Sequence, residues 1–232
     1  MQVKEAIILA GGLGTRLKEA VPDLPKCMAP VNGKPFIWFV IDHLQQQGIE
    51  RFIFSLGHRS EAFIDFLKET FAPAAYELVI EKEPLGTGGA IQLACQHAKD
   101  QQVLALNGDS IFKIDVQQQA DLHETTGADC TLALKYLENF DRYGAVVLDE
   151  HNRIISFQEK RHYENGYING GVYILNRETF LREGFPEKFS FETDYLQSLY
   201  SQRTIMGLPQ DGYFIDIGIP EDYLKAQIEL NY

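Results

Sequence analysis

The chain has 232 residues and 26.4 kDa, with 21 Lys and Arg against 33 Asp and Glu, a formal net charge of −12 and a pI near 4.9. Hydrophobic residues at 45% and charged residues at 23% are ordinary for a folded chain and exclude intrinsic disorder. The acidity counts against nucleic-acid binding, which needs surplus cations for phosphates, and no apolar run approaches the roughly 18 residues of a membrane span.

Residues 4–10 end in an all-apolar run, as a strand buried on both faces would, and Gly11 and Gly12 then break it. Phe36, Phe39, Val40, Ile41 and Leu44 recur at spacings of three and four and predict a helix that ends near Gly48. Arg51–Leu56 reads as the next strand, followed by a helix capped by Ser60 with Phe63, Ile64 and Leu67 as its apolar stripe. Tyr76–Ile80 returns to strand, a helix is predicted from about residue 88 to 98, and strand 103–106 stops at Asn107, Gly108 and Asp109. This alternation marks a parallel sheet covered on both faces. Beyond residue 130 the strands 130–136, Ala145–Leu148 and 154–159 leave no room for crossover helices, so this half is more antiparallel, with Asn152 in a hairpin turn. Strand 167–175, interrupted by Gly170 and Gly171, precedes helices at 176–182 and 191–200 and strands at 204–208 and 213–217. Pro220 suits the first position of a closing helix, with Glu221 and Asp222 set against its positive end. The expected fold is α/β, a single domain over residues 1–232 with a Rossmann-like mixed, mainly parallel sheet and helices on both faces. Cys27, Cys95 and Cys130 are an odd count without paired spacing, which predicts a reduced, cytoplasmic protein.

The densest chemical signal is Leu9-Ala10-Gly11-Gly12-Leu13-Gly14-Thr15-Arg16-Leu17, followed by Pro25-Lys26. Three glycines after a buried strand let backbone N–H groups approach a phosphate or base, because no Cβ intervenes. A dinucleotide fingerprint would need glycine at position 17, which is Leu17, and a P-loop would need Gly-Lys-Ser/Thr, which is absent. Arg16 and Lys26 supply a fork-shaped cation and a point charge suited to a triphosphate. The six histidines, including His43, His97 and His123, show no metal-ligand spacing and are assigned solvated or capping roles; Phe189, Phe191, Tyr195 and Tyr200 fall near helical spacing and read as core.

With Pro84-Leu85-Gly86-Thr87-Gly88-Gly89-Ala90, Asn107-Gly108-Asp109, Tyr143-Gly144, Glu159-Lys160, Asn169-Gly170-Gly171 and Asp216-Ile217-Gly218, nearly the whole chain resembles the sugar-1-phosphate nucleotidyltransferases, or nucleotide-sugar pyrophosphorylases. Cys27 stands where many members carry proline after the lysine. The resemblance implies a GT-A-like nucleotidyltransferase fold and a reaction joining a sugar 1-phosphate to the α-phosphate of a nucleoside triphosphate. The attacking phosphate is already anionic, so charge neutralisation and in-line positioning are needed and a general base is not. By that likeness Arg16 and Lys26 are catalytic, and Leu9, Ala10, Gly11, Gly12, Gly14, Thr15, Glu81, Gly86 and Thr87 bind the nucleotide. Asp109 and Asp216, placed just after strands, hold Mg2+. For the sugar, Gly144 offers a backbone N–H, Glu159 accepts hydroxyls and Asn169 bonds another hydroxyl, while Lys160 meets the sugar phosphate. A carboxylate at position 81, where uridylyl- and thymidylyltransferases often carry glutamine, accepts twice and matches the N1–H and N2–H₂ donors of guanine, so GTP is favoured. The nearest subgroup is the heptose 1-phosphate guanylyltransferases, with mannose and UTP-, dTTP- or CTP-dependent relatives as alternatives. A homo-oligomer is compatible. A glycosyltransferase would need an Asp-x-Asp-like pair, and a non-catalytic sensor would be expected to have lost Arg16, Lys26 or an aspartate.

Overall fold

The computed structural model describes residues 2–12, 24–57 and 61–230. Its strands are β1 (Glu5–Leu9), β2 (Pro30–Val31), β3 (Lys34–Pro35), β4 (Arg51–Leu56), β5 (Tyr76–Ile80), β6 (Gln102–Asn107), β7 (Ser110–Phe112), β8 (Cys130–Phe140), β9 (Ala145–Leu148), β10 (Ile154–Phe157), β11 (Tyr163–Asn176), β12 (Ile205–Pro209) and β13 (Phe214–Asp216). The α-helices are α1 (Phe36–Gln46), α2 (Glu61–Thr70), α3 (Gly86–Cys95), α4 (Val116–Thr126), α5 (Arg177–Arg182) and α6 (Pro220–Glu229), and Phe191–Gln197 forms a π-helical turn. None of the described helices is long and apolar enough to cross a membrane.

The apolar run of β1 is explained by the two cores it separates. Ala6 and Ile8 enter one with Phe36, Ile37, Phe54 and Leu104, whereas Ile7 enters the other with Ile53, Ile91 and Ala105. β1 lies parallel between β4 and β6, and β5 is parallel to β4. Antiparallel β11 continues the sheet from β6 and carries β8 and β9, with β12 parallel to β8 at the far side. A parallel half thus gives way to a mostly antiparallel one after residue 130, as the loss of crossover helices implied. The loops after β1, β4, β5 and β6 collect at one edge, where open α/β sheets place ligands.

Several boundaries differ from expectation for local reasons. α3 begins at Gly86, whose φ of +73° and close approach to the Phe189 carbonyl demand glycine, and it ends at Cys95, short of residue 98. β8 and β11 run longer than predicted because Tyr163 to Tyr167 pair with the far end of β8, starting from Tyr163 opposite Phe140. Asn176 ends β11 and caps α5, its Oδ1 accepting the Thr179 N–H at 3.1 Å. The predicted helix 191–200 opens as the π-helical turn, and Phe189, Phe191 and Tyr195 are core, as expected. The hairpin turn of β2 and β3, Asn32-Gly33, has φ of 47° and 80°, the positive pair that Asn-Gly supplies. Ser60 and His58 lie outside the described residues. All three cysteines are free and buried.

The helix α4 has no counterpart in the predicted elements, because its inner face is polar. Gln119 and His123 are buried there beside Val116 and Ala120. Gln119 Nε2 donates to the Thr131 carbonyl at 2.8 Å, and His123 Nδ1 meets Thr131 Oγ1 at 2.9 Å. His123 is therefore neither solvated nor a cap; burial pushes its pKa down to about 4. The unfolded chain binds a proton near pH 6.5 that the folded chain refuses, so stability is complete above that value and falls as pH drops toward 4, by up to about 3 kcal/mol. Urea unfolding at neutral and mildly acidic pH is expected to show this loss in the wild type and less of it in His123→Gln; equal losses would contradict it.

Candidate active site

The site is built where β1 and β6 end. Gly108 donates to the Leu9 carbonyl at 2.9 Å, and a Cβ at Gly108 would come within 3.0 Å of that same oxygen. The glycine therefore lets the Asn107-Gly108-Asp109 turn close against β1. Ala10 donates to Ser55 of β4 at 2.9 Å, which fixes the start of the glycine loop. The buried Cys27 thiol points at the Ala10 carbonyl, 3.9 Å away, and burial raises its pKa to about 12, so at neutral pH it is an uncharged packing group. Leu9, Ala10, Gly12, Lys26, Cys27, Thr87, Asn107, Asp109 and Glu192 line one cavity of about 290 Å³. Gly14, Thr15 and Arg16 lie outside the described residues.

Lys26, Asp109 and Asp216 meet although they are far apart in sequence. The Lys26 ammonium donates to Asp109 Oδ2 at 2.6 Å and to Asp216 Oδ1 at 3.3 Å. Asp216 is aimed by the β13–β7 pairing and by the Gly218 N–H, which donates to its Oδ1 at 2.8 Å, and the Ile217 N–H holds the Asp109 carbonyl at 3.1 Å. Two carboxylates thus face one cationic position. The described residues hold no group of three or more metal-ligating side chains. An oxygen-only pair suits magnesium, which takes its remaining ligands from substrate phosphates and water. Tyr143 packs beside Asp216, its ring edge-on to Phe214, and burial followed by the Asp216 charge raises its pKa to about 12. Arg142 pairs with Asp222 of α6 and so ties this loop down.

Glu81 follows β5, half-buried, and its carboxylate is fixed: Ser55 Oγ donates to Oε1 at 3.0 Å and the Leu85 N–H to Oε2 at 3.1 Å. A Cβ on Gly11 would sit 3.1 Å from Glu81 Oε1 and 2.8 Å from the Gly57 nitrogen, so the glycine loop and Glu81 are immediate neighbours. Glu83 is exposed. The second glycine cluster opens a helix, as predicted, but Gly88 and Gly89 also have a packing reason: side chains there would strike the Phe189 ring and the Glu187 carbonyl. Thr87 spends its hydroxyl inside the protein, donating to Glu192 Oε2 at 2.6 Å and accepting from the Phe191 N–H at 2.9 Å. Thr87→Val is expected to cost about 1–3 kcal/mol, because a carboxylate and an N–H lose their partner. An unchanged denaturation midpoint would contradict that role. Glu192 is a cavity residue that sequence reasoning did not single out, since it reads as an ordinary acidic residue in a helix first turn, and Asn107 is one that it named only as part of the Asn107-Gly108-Asp109 motif, without a role.

Of the predicted sugar-side residues, Gly144 and Glu159 are brought together. Gly144 lies so close to the Gln158 carbonyl that a Cβ would not fit, which puts Glu159 one residue away. Glu159 and Lys160 are exposed in the loop after β10, and the Glu159 carbonyl accepts the Tyr163 hydroxyl at 2.7 Å. Asn169 sits at the β11 irregularity, its Oδ1 accepting the Gly171 N–H at 2.9 Å and its Nδ2 donating to the Tyr173 hydroxyl at 2.9 Å. One amide hydrogen and one lone pair remain for a ligand. Gly171, at φ +73°, brings the bulge against Asn107.

A two-core α/β sheet with a glycine loop, a lysine and two convergent aspartates at its strand ends defines a nucleotidyltransferase, and the chain belongs to the nucleotidyl transferase family, whose match spans residues 5–231. Among its relatives, the D-glycero-alpha-D-manno-heptose 1-phosphate guanylyltransferase of Aneurinibacillus thermoaerophilus is 45% identical over 228 residues, covering 98% of this chain and 99% of that one. The enzyme of the same name from Campylobacter jejuni is 45% identical over 219 residues, 94% of this chain and 96% of that one. The crystal structure of HddC from Yersinia pseudotuberculosis, solved also in complex with GMP-PN, superposes with a TM-score of 0.86 at 35% identity, over 99% of this chain and 100% of that one.

Proposed function

We propose that the chain transfers a guanylyl group from GTP to D-glycero-α-D-manno-heptose 1-phosphate, releasing pyrophosphate. The observation that carries the reading is the Lys26 ammonium held between Asp109 and Asp216 beside the glycine loop. An oxygen of the sugar phosphate attacks the α-phosphorus, the bond to the β-phosphate breaks, and the electron pair leaves with pyrophosphate. No proton needs to be removed, and the described residues of the site accordingly present a lysine and two carboxylates. Lys26 is assigned to an α-phosphate oxygen, to which it would turn from the carboxylates, and Arg16 to the β- and γ-phosphates. Asp109 and Asp216 would hold Mg2+, which supplies charge neutralisation at the phosphates when bound. Glu81 keeps a free lone pair on each oxygen beside Gly11, the acceptor pair that guanine's two edge donors require. Gly144, Glu159 and Asn169 are assigned to the sugar and Lys160 to its phosphate, and Glu192 lines the cavity with Lys26 and Asp109.

The test is pyrophosphate release across GTP, UTP, dTTP and CTP with heptose, mannose and glucose 1-phosphates. GTP with the heptose 1-phosphate is expected to give the highest kcat/KM, by at least about tenfold over UTP, since a mispaired base leaves site acceptors unmatched. Equal turnover of UTP and GTP would contradict the Glu81 assignment, and preference for another sugar would contradict the acceptor.

A further inference from the structure

A second cavity, of about 390 Å³, shares no residue with the one beside Asp109; Asp129, Arg153, Thr179, Arg182, Gln202 and Arg203 are on its walls. Its cations are unequally satisfied. Arg203 is locked to Glu183 by two bonds of 2.5 and 2.9 Å, and Asp129 Oδ2 accepts the Thr204 N–H at 2.9 Å. Arg153, in contrast, gives one N–H to the Arg203 carbonyl at 3.1 Å, and Arg182 meets Glu178 one turn back at 3.1 Å with its side chain 79% exposed. Such a surface pair holds the side chain weakly, and a guanidinium carries five donors, so both arginines have hydrogen-bonding capacity to spare. Tyr195 is not a wall residue of this cavity, but it carries an unspent polar group. It is fully buried, yet its hydroxyl has no hydrogen-bond partner among the described residues. Burial, then Cys130, Asp129 and Glu183, push its pKa well up and keep the hydroxyl a donor. Tyr195 also shares the π-helical turn Phe191–Gln197 with Glu192, a wall residue of the active-site cavity. π-turns inside helices are frequent at functional sites.

We propose that this cavity is a second ligand site for a small phosphate-bearing metabolite, its phosphate between Arg153 and Arg182 and its other polar atoms on Thr179 and Gln202, and that occupancy reaches the active site through the Phe191–Gln197 turn. In a chain of net charge −12 these arginines gather cationic donors in one concave place. The coupling half rests on the transferase reading; the binding half does not.

The experiment is calorimetric titration of glucose 6-phosphate, and separately inorganic phosphate, into full-length wild-type, Arg153→Ala and Arg182→Ala proteins. Saturable binding is expected in the wild type, tighter for glucose 6-phosphate, and weakened at least about tenfold in each variant, as loss of a charge-assisted contact would do. The exposed Arg182 side chain makes Arg182→Ala safe for the fold. Unaltered affinity in both variants, or no saturable binding of either probe in the wild type, would overturn the site; phosphate binding as tightly as glucose 6-phosphate would overturn the metabolite assignment. Saturating probe should then shift the KM for the sugar 1-phosphate at least about twofold in the wild type and not in Arg182→Ala. An unmoved wild-type KM would overturn the coupling with the calorimetric result intact, whereas absence of turnover on every sugar 1-phosphate would overturn the transferase reading and leave the site standing.

Discussion

Asp109→Asn is expected to lower kcat by about three orders of magnitude with the fold intact, an effect of roughly 4 kcal/mol on the barrier and in the range of charge stabilisation by a bound metal. Asparagine keeps the volume and removes one of the two anionic groups that, among the described residues, face the cation position. The Lys26 ammonium would lose the charge of its 2.6 Å partner but retain an amide oxygen there and Asp216 at 3.3 Å, so thermal unfolding should move little. Steady-state rates measured across a magnesium titration check this. The variant should need far more metal and never recover the wild-type rate; an unchanged titration would remove Asp109 from the metal site.

Lys26→Ala is expected to move two quantities in opposite directions. Turnover should fall by at least about two orders of magnitude, because no point charge remains to meet the α-phosphate. Metal affinity without nucleotide should rise by about tenfold or more, since the ammonium now occupies the position between the carboxylates and a pair at such distance is worth several kcal/mol at protein-surface dielectric. Mn2+ binding followed by electron paramagnetic resonance reports the second effect directly. A variant that binds Mn2+ more weakly than the wild type would show that Lys26 supports the cation site and does not compete for it.

How far the sequence revealed this site depended on what signals each residue carried. β1, β4 and β6 were legible because strands between two cores, such as Ala6-Ile7-Ile8, must be apolar on both faces. The glycine loop and Lys26 stood out because an unusual cluster of glycines followed such a strand. The α4 helix was hidden because its buried face is Gln119 and His123, satisfied by Thr131 hydrogen bonds that no periodicity of apolar residues announces. Glu192 was hidden for a different reason: its place in the cavity depends on Thr87, 105 positions earlier, reaching across to hold it. The glycines of Gly86–Gly89 illustrate a third case, in which the residue type was noticed but a main constraint, the packing of Phe189 and Glu187, is tertiary. The charge of −12 likewise concealed its own distribution. Residues 1–35 carry Lys4, Arg16, Lys18, Lys26 and Lys34 against Glu5, Glu19 and Asp23, so the segment assigned to the phosphates is net positive in an acidic chain.

The most direct test of metal-assisted guanylyl transfer at this site is a crystal structure with a non-hydrolysable GTP analogue and Mn2+, read by its anomalous signal. The account predicts a manganese peak bonded to both Asp109 and Asp216, the Lys26 ammonium moved onto the α-phosphate, and Glu81 accepting from the guanine edge. A manganese peak away from both aspartates, or Lys26 still paired with Asp109 while the nucleotide is bound, would contradict it.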